Sequence, residues 1–177
     1  MKEVKDMTVG ELGAYICSYL EDNGIRVVLS GGACVSIYTN NKYLSEDLDF
    51  IELTSTGKKV LRDALSEIGF QREGRHFIHL ETNFFLEFPP GPLSIGEEYI
   101  TEVLELKQKT GVLRMLSPTD CVKDRLAAFY HWGDYQALEQ AILVSRDQEI
   151  DLDNIKQWSE KEGAQERFEK FMKMLEE

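Results

Sequence analysis

Three cysteines, four prolines and no long apolar run limit what this 177-residue chain can be. Cys17, Cys34 and Cys121 are odd in number, far apart and form no CxxC pair. That excludes a disulfide scaffold and a cysteine-ligated zinc knuckle, and fits reduced, buried thiols. No stretch approaches the roughly 18 apolar residues that cross a bilayer. No apolar segment follows Met1-Lys2-Glu3-Val4-Lys5-Asp6, so a cytoplasmic protein without a membrane partner is expected. Positive charge is scarce: 20 Lys and Arg against 32 Asp and Glu leave a net charge of −12. A protein that tracks a nucleic-acid backbone carries a basic surface, so long nucleic acid is disfavoured as a partner. A tRNA end meeting a local patch of Arg72, Arg75, Arg114 and Arg125 stays compatible with that charge. Internal repeats and low-complexity tracts are absent.

Hydrophobic residues make up 42% of the chain and charged residues 29%, the balance of a folded domain. Thr8-Val9-Gly10-Glu11 reads as a capping box before Leu12, Ile16 and Leu20 at helical spacing, and Asn23-Gly24 ends that helix. Ile25 to Leu29 reads as a buried strand, Ala33 to Tyr38 as a short helix and Asp47 to Leu53 as a strand. Gly57 to Gly69 reads as a helix with Val60, Leu61, Ala64, Leu65 and Ile68 inward. Phe77–Leu80 and Phe84–Phe88 read as an antiparallel hairpin, followed by extended pieces at Val103–Leu106 and Gly111–Met115. Ser117-Pro118-Thr119-Asp120 is a helix start. Helices over about 118–132, 134–146, 153–162 and 165–175 follow. The plan is α/β (α+β): an α/β domain over 1–116 and a helical subdomain over 117–177 packed on it.

The chemistry concentrates in Leu29-Ser30-Gly31-Gly32 and, fifteen residues after Gly32, Asp47-Leu48-Asp49-Phe50. Glycines let backbone N–H groups approach a phosphate because no Cβ intervenes. Alternate residues of a strand share a face, so Asp47 and Asp49 project together, as a hard divalent cation such as Mg²⁺ or Mn²⁺ requires. In Phe84-Phe85-Leu86-Glu87-Phe88, Glu87 shares a face with Phe85, and an acid among such bulk calls for a charge partner. A third carboxylate there would complete a two-metal site for phosphoryl or nucleotidyl transfer. His76 and His79 have opposite strand parity and read as surface or packing residues. Tyr130, His131 and Trp132 read as core at a helix end. Asp134, after Gly133, reads first as a good N-cap for the next helix.

A strand ending in Gly-Gly, a short helix, D-x-D on the next strand and an acid on a later one resembles the nucleotidyltransferase fold of the DNA polymerase β superfamily, over about Ile25 to Phe88. The run Ser117–Ala128 and the segment His131-Trp132-Gly133-Asp134-Tyr135 resemble the helical half of the AbiEii-like nucleotidyltransferases. The resemblance implies a mixed sheet with flanking helices and a C-terminal helical bundle. It also implies an NTP substrate with Mg²⁺ or Mn²⁺ on Asp47, Asp49 and Glu87, and phosphates on Gly31 and Gly32. Lys123 would meet the triphosphate, and Asp134 would support Lys123 or the metal. The family's usual serine is replaced by Gly32, which leaves Ser30 or Ser36 to supply the hydroxyl. Transfer of a nucleoside monophosphate to an acceptor hydroxyl is the activity implied, in a toxin–antitoxin or defence setting. A binding module with a protein partner and a metal-dependent phosphohydrolase are the alternatives.

Overall fold

A computed structural model describes residues 2–177. A 3₁₀ turn at Val4–Asp6 precedes α1 (Val9–Asp22), β1 (Val27–Ser30), α2 (Gly31–Tyr38), β2 (Asp47–Glu52) and α3 (Lys58–Glu67). Then come β3 (Gln71–Glu73), β4 (His76–Ile78), β5 (Phe85–Glu87), β6 (Ser94–Ile95), β7 (Glu98–Tyr99), β8 (Leu104–Gln108) and β9 (Gly111–Met115). Four helices close the chain: α4 (Pro118–Trp132), α5 (Tyr135–Asp147), α6 (Leu152–Lys161) and α7 (Gln165–Glu176). None is long and apolar enough to cross a membrane.

Seven strands form a mixed sheet in the order β3-β4-β5-β2-β1-β9-β8, and β6 and β7 form a separate hairpin. β2 pairs antiparallel with β1 and parallel with β5, and β1 pairs parallel with β9. Three consecutive apolar residues, Val27, Val28 and Leu29, are fully buried, as a central strand covered on both faces requires. α1 lies across β1 and β9 through buried Leu12, Ile16 and Leu20. Gly13 brings it close: a Cβ there would stand 3.0 Å from a Leu113 methyl. The Thr8–Glu11 capping box is present, with Glu11 N donating to Thr8 Oγ1 and Thr8 N to Glu11 Oε2.

The helical half is tied to the sheet by polar as well as apolar contacts. Tyr38 donates its hydroxyl to Leu116 O, Gln148 Nε2 donates to Tyr38 O, and Lys42 pairs with Asp147. Buried Trp158 stacks on Tyr130 and donates its indole N–H to Ile95 O at 3.2 Å, binding α6, α4 and β6 together. Three expectations are corrected. Val60 lies on the outer side of α3 and is exposed. His131 and Trp132, at the C-terminal end of α4, are both exposed, Trp132 by 85%, whereas Tyr130 is core. β3 and the two-residue strands β6 and β7 were absent from the expected elements; Gln71-Arg72-Glu73 has no apolar residue and all three are exposed.

Candidate functional site

Strand register assembles the site. Ser30 pairs with Asp49, Asp49 with Glu87, and Glu87 with His76. In-register neighbours share a face, so these four side chains form one row across β1, β2, β5 and β4, whose strands lie about 4.8 Å apart. A second row, two residues back along β2, holds Asp47 opposite Phe85. The other face of the same strands carries Leu48, Phe50, Leu86 and Phe77, all buried in the core. The alternation that buries one set therefore presents the carboxylates on the other. One ligand oxygen each from Asp47, Asp49 and Glu87 lies within 4.8 Å of the others.

Three acids this close repel. Desolvation, then the charges of Asp47 and Glu87, push the Asp49 carboxyl up to about 7, against the opposing pull of Arg125. Asp47 is raised too, first by burial and then by Glu87. Asp47 Oδ1 is buried and has no hydrogen-bond partner among the described residues. An orphaned carboxylate oxygen, an all-oxygen donor set and mutual repulsion together fit a hard divalent cation, Mg²⁺ or Mn²⁺.

Gly31 opens α2 at a φ of 70°, and a Cβ on it would stand 2.7 Å from Asp49 Oδ2. The glycine thus lets the carboxylate pack against the start of the helix. Ser30, the N-cap, makes no side-chain cap; its hydroxyl donates instead to Asp49 O at 3.2 Å. Gly31→Ala should therefore cost about 1–2 kcal/mol through the left-handed backbone and force the Asp49 carboxylate aside. We expect a lower melting temperature and at least about tenfold weaker Mn²⁺ binding, checked by thermal unfolding and calorimetry.

The remaining sequence-predicted residues are placed differently. Ser36 is fully buried, donates to Gly32 O and accepts from Ser45 N at 2.8 Å, so its hydroxyl is a strut inside α2 and offers nothing to a phosphate. Ser45 takes up the position the sequence left open. A Cβ on Gly32 would lie 3.4 Å from Ser45 Oγ and 3.3 Å from the Tyr43 ring. The loop before β2 leans into the space a side chain at position 32 would use and brings its own hydroxyl. Lys123 is 1% exposed, with Nζ 2.6 Å from Glu98 Oε1 and 3.4 Å from Asp120 Oδ1. Asp134 caps α5, its Oδ1 accepting from Ala137 N at 3.0 Å.

The cation on α4 whose charge reaches Asp49 is Arg125. Two positions along a helix is a turn of about 200°, so Lys123 and Arg125 point to opposite sides. Arg125 is held by Asp124 and by Gln140, both on the helical half. His76, read from the sequence as a surface or packing residue, takes the packing role. Its ring packs on Phe85 with centroids 4.7 Å apart, and its Nε2 lies 3.5 Å from Glu87 Oε2. The expected patch of four arginines does not form. Arg114 is buried against Glu21 and Glu105, Arg125 is held by Asp124 and Gln140, Arg75 pairs with Glu87, and Arg72 bonds Gly74 O.

No protein-family model matches the chain, and no curated protein matches it. Among solved structures, the chain is similar to the solution structure of the antibiotic-resistance factor ANT(2'')-Ia, described as revealing substrate-regulated conformation dynamics. Identity is 14% and the TM-score 0.52, over 95% of this chain and 94% of that one. The likeness shows a shared fold, the nucleotidyltransferase fold, with its mixed sheet and flanking helices.

Proposed function

We propose that the chain is a metal-dependent nucleotidyltransferase that moves a nucleoside monophosphate from an NTP to an acceptor hydroxyl. The observation that carries this is the carboxylate cluster of Asp47, Asp49 and Glu87, with its orphaned Asp47 oxygen, set against the opening turn of α2. Asp47, Asp49 and Glu87 would hold Mg²⁺ or Mn²⁺, which when bound lowers the pKa of the attacking hydroxyl and offsets charge on the leaving pyrophosphate. Gly31 and Gly32 present the first amides of α2 to phosphate oxygens, where the helix end favours negative charge. The Ser45 hydroxyl donates to Asp47 O at 3.0 Å and ties the preceding loop to the metal-binding strand. Arg125, anchored by Asp124 and Gln140, supplies the fixed positive charge that the AbiEii-like resemblance assigned to Lys123. Asp134 keeps its capping role.

Each NTP titrated calorimetrically into the protein with Mg²⁺, and again with EDTA, tests this reading. Binding that requires metal, and that weakens at least about 100-fold in the Asp47→Asn/Asp49→Asn variant, is the expected result. Absence of binding to any NTP would overturn it. Weight would then move to a second reading, a toxin–antitoxin or defence module with a protein partner. That reading is favoured by Trp132 and Tyr135, exposed together where α4 meets α5.

A further inference from the structure

The third carboxylate already has a cation. Arg75, at the turn between β3 and β4, places Nε 3.4 Å from Glu87 Oε1, and the same Nε–H donates to His76 Nε2 at 3.3 Å. His76 Nε2 stands 3.5 Å from the other oxygen of Glu87. Because that nitrogen accepts from Arg75, its lone pair faces the guanidinium, and the imidazole donates no proton from Nε2 to the carboxylate. Positive charge on Glu87 therefore comes from Arg75 alone in this arrangement. The arginine side chain is 77% exposed and is anchored by nothing else among the described residues. Its field extends past Glu87: Arg75 pulls against the rise of the Asp47 carboxyl.

We propose that Arg75 is a built-in counter-ion of Glu87 that a divalent cation must displace to use this carboxylate. The inference rests on the metal-binding reading of Asp47, Asp49 and Glu87. A divalent cation shared by the three acids and a guanidinium 3.4 Å from one of them carry the same sign. Both cannot hold Glu87 at full strength. The geometry makes Arg75 the mobile partner: it is long, exposed and attached by one ion pair and one hydrogen bond, whereas Glu87 is fixed in a strand between β2 and β4. Metal affinity is thereby set against an arginine, and swinging the guanidinium into solvent is part of filling the site. An ordinary supporting ion pair would act in the opposite direction, since its loss would loosen Glu87 and weaken the metal.

Mn²⁺ titrated calorimetrically into the nucleotide-free protein, wild type against Arg75→Gln, separates the two. The counter-ion role predicts a dissociation constant about three- to tenfold lower in Arg75→Gln at low salt, with the gap narrowing as salt is raised. In parallel, the Arg75 Nε–H resonance of the wild type should shift and exchange faster with water as diamagnetic Mg²⁺ is added. Arg75 is exposed, so the variant is not expected to lose its fold. Unchanged or weaker Mn²⁺ binding in Arg75→Gln, with normal binding in the wild type, overturns this inference and leaves the carboxylate site standing. No Mn²⁺ binding to either protein overturns both.

Discussion

Asp49→Asn should lower nucleotidyl transfer by about 10³-fold or more while making the metal-free protein more stable. Under the proposed function, the loss follows from removing one of three carboxylates that would hold a cation worth several kcal/mol to the reacting phosphate, each 1.4 kcal/mol being a factor of ten. The gain follows from linkage. Asp49 titrates near 7 in the folded protein, because it is desolvated beside Asp47 and Glu87, against about 3.9 in an unfolded chain. Between those values the folded state holds a proton that the unfolded state has released. Stability therefore falls as pH rises from about 4 to 7 and is restored as pH falls back through 7. At 1.4 kcal/mol per unit, discounted for a half-buried, partly screened site, the penalty above pH 7 is on the order of 2 kcal/mol. Asparagine carries no charge and escapes it. The melting temperature of Asp49→Asn should exceed that of the wild type by about 5 °C at pH 8, with the gap narrowing below pH 7 and closing near pH 4. Scanning calorimetry across that range, without metal, reads both proteins. A variant less stable at pH 8, or one retaining full transfer, would remove the basis for the site.

Lys123 should prove structural, and the size of the effect depends on what replaces it. Its stem is buried and its ammonium is paired with Glu98 and Asp120. Lys123→Ala empties the space of the stem and leaves two acids facing each other, at a cost of about 2–4 kcal/mol. Lys123→Met keeps the stem, and Glu98 can turn to solvent, so it should fall within about 1 kcal/mol of the wild type. Nucleotide affinity of the Met variant should change by less than about twofold, whereas Arg125→Ala should weaken NTP binding about tenfold or more. Urea unfolding and calorimetry on the same preparations check the pair. Loss of nucleotide binding in Lys123→Met, with stability intact, would return the triphosphate role to Lys123.

What the sequence revealed and what it hid follow from the range over which each signal acts. The Thr8–Glu11 box, the Ser117-Pro118 start and the alternation in Asp47–Phe50 are local, and each appears where expected. Glu87 was readable because its parity against Phe84, Leu86 and Phe88 made it an acid out of place. What local pattern did not reveal comes from long-range contacts. Lys123 and Arg125 are both cations on a capped helix; only the packing of α4 against α2 says which one reaches the carboxylates. Ser45 gains its position from a loop that folds back on Gly32, and His76 from the pairing of β4 with β5. Trp132 is aromatic and sits one turn from core residues, yet it falls on the outward side of the last turn of α4.

The pairing of Leu29 with Met115 has a consequence for how the protein is made. A chain emerging from the ribosome has both motif glycines and all three carboxylates by residue 87. At that point β1 has β2 on one edge and nothing on the other, because β9 is still untranslated. Arg125 and the helix that carries it come later still. Closing so distant a pairing costs chain entropy that only the finished sheet and its helices offset. A shortened product ending before β9 would hold every acidic residue of the centre on a sheet with an open, β-branched edge. Such a fragment is a target for aggregation or proteolysis, not a smaller catalyst. The C-terminal half thus decides whether the N-terminal motif ever becomes a site.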